Sequence, residues 1–356
     1  MGIRPFLALS AACVSIPAQA QVATPAASAQ PAANTPFEKT QAEAVVRGLA
    51  TQLEENFVFP EVAKNYASML RSKLAAGAYA SFADGHAFAE AVTADLQAVH
   101  PDKHLRLFPP RPSVAGEQRE RRGPPGGSAI SKSGWLADGV AYIRFEGFPG
   151  NDETLAALRA FLDAHKDAKT LIIDALAHRG GGLSEMDVMF PQLFDKPTVL
   201  VGMDTRIAVE QRRGGEPEEW SLRKVVGPDG VVRREHFVTP AARQSSLSKA
   251  KVYLLVSERT GSAGEHLALS LKRTGRATLI GRTTRGMGHY GGVIPISHGY
   301  AAFIPVGRTF DPDNNEGWEG VGVKPHIEVP ADMALDEALR LAGLQVSEEA
   351  ALASLK

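Results

Sequence analysis

Cysteine is almost missing: Cys13 is the only one in 356 residues. One thiol excludes a disulfide scaffold and a cysteine-ligated zinc site. Neither sign of charge is in surplus, 39 Lys and Arg standing against 40 Asp and Glu. The chain therefore lacks the basic excess that general binding to nucleic-acid phosphates requires. No apolar run reaches the roughly 18 residues that would span a bilayer. None of the ten histidines sits in a His-Glu-x-x-His pair, so a zinc peptidase has no support. What remains is an ordinary globular composition, 44% apolar, which can bury a sizeable core. By length it fills two or three domains, or one large domain with a small companion.

The first 20 residues read as a secretory signal peptide. Arg4 is the basic start, Phe6 to Ile16 the apolar stretch, and Ala18-Gln19-Ala20 the small-x-small cleavage site. Ser10 stands where a lipoprotein signal wants Leu. Cleavage after Ala20 removes Cys13, so the mature chain has no thiol and is not a cysteine enzyme. The expected location is secreted or periplasmic. Residues 21–36, rich in Ala, Pro and Gln, read as a disordered tether.

Helical spacing begins at Phe37. Apolar positions predict helices over 38–57, from Pro60 onward, and over 85–99, together a small helical domain over 37–108. Residues 109–128, dense in Pro, Gly and Arg, read as a loop or linker whose basic run is a solvated face. From 129 to 346 strands and helices alternate. Strands are expected at 140–145, 170–173, 199–205, 220–226, 251–257, 277–280, 292–296 and 299–306. Helices are expected at 152–163, 183–194, 262–274 and 333–343. This order predicts an α/β core with at least a partly parallel sheet.

Two familiar motifs fail on inspection. Residues 286–291 spell G-x-G-x-x-G, but a strand follows where a dinucleotide site needs a helix. Thr260 occupies the first glycine position of G-x-S-x-G around Ser262, so the α/β-hydrolase elbow motif is absent.

Two strand–turn–helix junctions carry more weight. In SERTGSAGE a buried strand ends and a helix opens at Ser262. A hydroxyl there lies among unpaired helix N–H groups, where a developing oxyanion is stabilised. Ser262 and Glu265 also spell an S-x-x-E capping box, a purely structural alternative. In LIIDALAHRGGGLSEMD three glycines, Gly180 to Gly182, join a buried strand to a helix. They either form a tight turn or bring backbone N–H groups close to a ligand. An oxyanion hole needs one donor from each kind of junction. A serine also needs a base. Lys272 lies ten residues along the same helix and points away. His104 and His289 are both able to reach Ser262 in three dimensions, and Glu319 is a carboxylate able to orient a histidine.

Taken together, these segments resemble the tail-specific (C-terminal processing) serine peptidase family. The match is closest to its branch with the interphotoreceptor retinoid-binding-protein-like domain and the tricorn core, without a PDZ domain. It rests on NFVFPEVA (56–63), DKHLRL (102–107), GVAYIRFEGF (139–148), SERTGSAGE (257–265) and WEGVGVKP (318–325), in that order. The resemblance implies a crotonase/ClpP-like α/β core behind a small helical N-terminal domain, and hydrolysis of peptide bonds without metal or cofactor. It maps Ser262 to the nucleophile, and the N–H groups of Gly181 and Ala263 to the oxyanion hole. Many members place a Lys base 25 residues beyond the serine. That position is Met287, which takes no proton. The tricorn-type branch uses a His before the core and a Glu after it, which fall on His104 and Glu319. Leu176 and His178 replace the Arg and Asn usual after the strand ending at Asp174, and His326 replaces the Asp usual after Pro325.

The expectation is a Ser262–His104–Glu319 peptidase acting on peptides or proteins, with activity falling below a His104 pKa of about 6–7. Two rivals remain at this level. One is an inactive binder of peptides or apolar ligands on the same fold. The other is a crotonase-like acyl-transfer enzyme for a small ester or thioester.

Overall fold

The computed structural model describes residues 36–110, 127–212, 220–243, 245–353 and 355. The signal peptide, nearly all of the tether and most of the 109–128 loop lie outside them. Helices α1 (Lys39–Asn56), α2 (Pro60–Ala75) and α3 (Gly85–Val99) come first, followed by a short strand, β1 (Arg106–Phe108). Pro60 occupies the first turn of α2, where its missing N–H costs nothing. Asp84 caps α3 by accepting the N–H groups of His86 and Ala87.

Next come β2 (Ile130–Ala137), β3 (Val140–Phe145), α4 (Asp152–Ala164), β4 (Thr170–Asp174), α5 (Ser184–Leu193), β5 (Thr198–Arg206) and α6 (Ile207–Arg212). They are followed by β6 (Leu222–Val225), β7 (Val231–Val238), β8 (Lys251–Val256), α7 (Ala263–Arg273), β9 (Thr278–Gly281), β10 (His289–Pro295) and β11 (Ala301–Phe310). The chain closes with β12 (Ile327–Glu328), α8 (Ala334–Leu341) and α9 (Glu348–Ala353).

The strands form two six-stranded sheets. The first runs β12-β9-β8-β4-β3-β2, parallel except for the β2–β3 pair. Its central strand β4 is buried along its whole length, as a parallel strand covered on both faces must be. One face packs Leu158, Met189, Phe190 and Leu267 from α4, α5 and α7, and the other packs Leu335 and Leu339 from α8. The second sheet is antiparallel, in the order β1-β11-β5-β7-β6, with β10 also paired to β11.

The helical region is tied to that second sheet. Leu49, Leu53, Tyr66 and Phe88 share one apolar cluster with Tyr300, Ala302 and Ile304 of β11 and its approach. Consequently β11 supports the helical layer and, through the turn after it, the site. Arg273 at the end of α7 ties the two halves of the core. Its guanidinium donates to the carbonyls of Val199 and Leu200 and to the Asp311 and Asp313 carboxylates.

Candidate active site

Parallel strands β4 and β8 end side by side, and the loops that follow them are laced together. Thr260 Oγ1 donates to the Ala175 carbonyl (2.7 Å), Ser257 Oγ to the Leu176 carbonyl (2.6 Å), and Gly261 N–H to the His178 carbonyl (3.0 Å). These bonds bring the glycine junction against the serine junction. A Cβ on Gly180 would lie 2.9 Å from the Ser262 Cβ, so only glycine admits this approach.

Ser262 itself adopts φ 55, ψ −116, a conformation that L-residues avoid. Backbone strain of this kind costs about 1–3 kcal/mol and persists only where the surroundings impose it. Here Glu265 imposes it. Its fully buried carboxylate accepts the N–H groups of Ser262 (2.8 Å), Gly286 (2.5 Å) and Met287 (2.8 Å) and the Thr284 hydroxyl (2.7 Å). Burial raises the Glu265 pKa above the ordinary carboxyl range, despite those four donors. Glu265 thus does more than complete a capping box: it holds the serine to the 284–287 loop. The G-x-S-x-G motif is absent, yet a strained serine at a strand–helix junction is present.

A cavity of about 190 Å³ opens over Ser262. Gly181, Ala263, His266, His289 and Trp318 are among its lining residues. Gly181 forms a bridge with Phe148 that uses the Gly180 carbonyl and the Gly182 N–H, leaving its own N–H out of the pairing. Among the described residues, neither the Gly181 nor the Ala263 N–H has a hydrogen-bond acceptor. The structure therefore brings Ser262, Gly181 and Ala263 to one cavity, as two donors beside a nucleophile require.

The expected base and acid lie beside this cavity but are arranged differently from the expectation. His104 is 8% exposed, stacked on Phe303 at 5.1 Å, and its Nδ1 has no partner. It is not among the residues lining the serine cavity. Burial pulls its pKa down to about 4, outweighing the attraction of Asp102. The expected value of about 6–7, that of a solvated imidazole, does not survive this enclosure.

Glu319 lies with His104 and Asp102 in one cluster, each offering an atom within 4.8 Å of the others. Its oxygens are taken by backbone donors: Lys103 N–H (2.9 Å), Gly288 N–H (2.6 Å) and His289 N–H (3.1 Å). Asp102 accepts the N–H groups of His104 (3.0 Å) and Leu105 (3.1 Å) on one oxygen and faces His289 Nδ1 at 2.7 Å with the other. Carboxylates so occupied by N–H donors are poor ligands for a cation, which those donors would repel. Burial pushes the Asp102 pKa up, but the bonds from His289 and the two backbone groups outweigh it and hold it below the usual range. Sequence reasoning passed over Asp102 except as part of DKHLRL. Its place two residues before His104, in a turn closed by its own side chain, was the available signal.

An α/β protein that holds a strained serine at a helix N-terminus, facing two unpaired N–H groups, has the arrangement of a serine hydrolase. Comparison with known proteins gives the family. Residues 139–329 match peptidase family S41, and residues 36–132 match the N-terminal domain of peptidase S41 in eukaryotic IRBP. The chain belongs to peptidase family S41. It is 34% identical over 169 residues to carboxyl-terminal-processing peptidase 3, chloroplastic, of Arabidopsis thaliana, covering 48% of this chain and 27% of that protein. It is 25% identical over 197 residues to C-terminal processing peptidase, chloroplastic, of Tetradesmus obliquus, covering 54% and 36%. The matched segments thus span about a third of those relatives or less.

Among solved structures, the photosystem II D1 C-terminal processing protease superposes with a TM-score of 0.53 at 15% identity, covering 88% of this chain and 99% of that one. A lipoprotein from Streptococcus agalactiae gives 0.53 at 12% identity, covering 86% and 98%. These likenesses establish a shared mixed α/β fold with a helical N-terminal region.

Proposed function

We propose that this chain is a secreted or periplasmic serine peptidase of the tail-specific kind, hydrolysing peptide or protein substrates through an acyl-enzyme. Ser262 attacks the scissile carbonyl while a histidine accepts its proton. The N–H groups of Gly181 and Ala263 hold the oxyanion, and water then releases the acyl group. The observation that carries this reading is the strained Ser262, which shares one cavity with two backbone donors that have no other acceptor.

The Ser262–His104–Glu319 triad read from the sequence has partial support. Glu319 and His104 share a cluster with Asp102, and Glu319 clamps both histidine-bearing segments through Lys103, Gly288 and His289 N–H. The extracytoplasmic location rests on the sequence of residues 1–20. No described helix is long and apolar enough to cross a membrane.

The test is reaction of the mature protein with a fluorophosphonate probe and with a casein substrate. The wild type should label and cleave, and Ser262→Ala should do neither. Cleavage retained by purified Ser262→Ala would overturn the assignment. A folded wild type that neither labels nor cleaves would make a binding role on the same fold the better reading.

A further inference from the structure

We propose that His289, and not His104, is the general base for Ser262, and that Asp102 fixes its tautomer as a positioning residue. This deepens the peptidase reading and rests on it.

Placement comes first. His289 opens β10 and lines the Ser262 cavity, whereas His104 does not. The tautomer follows from chemistry. An ionised carboxylate only accepts, so the 2.7 Å contact with Asp102 Oδ2 puts the proton on His289 Nδ1. Nε2 is then the nitrogen with a lone pair left for the serine. Asp102 is fully buried, and its other oxygen is held by two backbone N–H groups, so it has little freedom to turn away. The His289 backbone is held as well. Its N–H donates to Glu319, and its ring meets Phe59 edge-on at 5.4 Å. His104 has none of this. No carboxylate is hydrogen-bonded to its ring, its Nδ1 is unpartnered, and Phe303 covers one face.

Three carboxylate and imidazole groups surround His289: Asp102, the Glu319 carboxylate at 4.0 Å, and His104, with His266 elsewhere on the cavity wall. The ammonium of Lys103 is bound to the Arg285 carbonyl at the neighbouring turn. Of the two carboxylates, Asp102 is the nearer.

Each step balances. As Ser262 Oγ bonds the carbonyl carbon, its proton passes to His289 Nε2 and the carbonyl π pair moves onto oxygen. The imidazolium returns that proton to the leaving nitrogen as the C–N bond breaks. Water then repeats the sequence, giving a proton to His289 as its oxygen bonds the acyl carbon. The proton returns to Ser262 Oγ as the ester breaks.

The experiment measures the second-order rate of fluorophosphonate labelling from about pH 5 to 9, across the range where imidazoles titrate. It compares wild type, His289→Gln, His104→Gln and Asp102→Asn, each checked for an intact melting transition. His289→Gln should lose roughly 10²–10⁴-fold, the usual worth of a positioned base, together with the titration step in the rate. His104→Gln should lose less than about tenfold and keep that step. Asp102→Asn should slow labelling and move the step to lower pH, because imidazolium loses its counter-charge. A merely structural Asp102 would lower the rate without moving the step, and that result would remove its positioning role. Loss confined to His104→Gln, with His289→Gln still reactive, would overturn the proposal while leaving the peptidase reading intact. A folded wild type that does not label would overturn both.

Discussion

Two histidine–aspartate arrangements reach the same cavity, and they differ in what their nitrogens are free to do. At His289 one nitrogen faces Asp102 and the other is left over. His266, in the first turn of α7, instead places Nε2 2.8 Å from Nδ1 of His236, whose Nε2 lies 3.1 Å from Asp187. That chain links α7, β7 and α5 in a buried relay. His266 is almost wholly enclosed, and burial, with His236 adding to it, lowers its pKa well below the ordinary value. The same residue types thus make a candidate proton acceptor on one wall and a structural link on the other. The commitment of the second nitrogen decides which, not proximity to Ser262 in sequence. By sequence, His266 is the nearer of the two.

The strongest way to break this comparison is to remove what both histidines face. Gly181→Ala would place a Cβ 2.0 Å from the Phe148 carbonyl oxygen at φ 137, so the glycine junction must shift. Fluorophosphonate labelling should fall roughly 10²–10³-fold, the usual cost of one oxyanion donor. Next, Glu265→Gln leaves four donors facing an amide that accepts through only one oxygen. Thermal unfolding should show a loss of about 1–3 kcal/mol, and labelling should slow as the serine loop relaxes. His266→Phe sharpens the contrast with His289→Gln. It should change the labelling rate by less than about tenfold, because no step is assigned to it. A loss as large as that of His289→Gln would erase the distinction between the two walls.

The smallest effect concerns acid stability. Burial lowers the His178 pKa to about 3, and the side chain is fully enclosed against Phe148. Unfolded, it titrates near about 6.5. Its neutral form therefore supports the fold above that value, and this support is lost as pH falls toward 3. The slope is about 1.4 kcal/mol per pH unit for one such group. His178→Asn should flatten the fall in unfolding free energy between about pH 6 and 4 by that amount, measured by denaturant titration. An unchanged slope would mean that His178 is protonated in the folded chain.

Much of the architecture was legible from pattern alone. The helical spacing around Val45, Val46, Leu49 and Leu53 places α1 to within a residue of the expectation, and α3 falls on the expected 85–99. Strands β3, β4 and β8 were legible as apolar runs. Strand β7 was not, because VVRREHFV carries three charges and a histidine. Its arginines are neutralised by partners remote in sequence: Arg233 forks onto Asp204 at 2.6 and 2.8 Å, and Arg234 pairs with Glu210. Strand β2 was missed for a related reason. It lies at the sheet edge with a single buried position, so no alternation marks it.

At the site, the two strand–turn–helix junctions drew attention to Ser262 and to the glycines 180–182, and the family resemblance assigned the candidate roles to Ser262, Gly181 and Ala263. Local backbone chemistry places a serine and glycines where parallel strands meet helices. The histidine was a different matter. His104, in DKHLRL, and His289, in GMGHYGG, were both open from the residues alone, and the resemblance chose His104. Tertiary structure separates them by stacking one ring on Phe303 and holding the other to Asp102, 187 residues away. The sequence alone determined the α/β fold class, which follows from periodicity, and through the resemblance of contiguous motifs it pointed to the peptidase family and to Ser262 as the candidate nucleophile. Only the folded chain decided which imidazole has a carboxylate on one nitrogen, since hydrogen-bond partnership comes from residues that the sequence keeps apart.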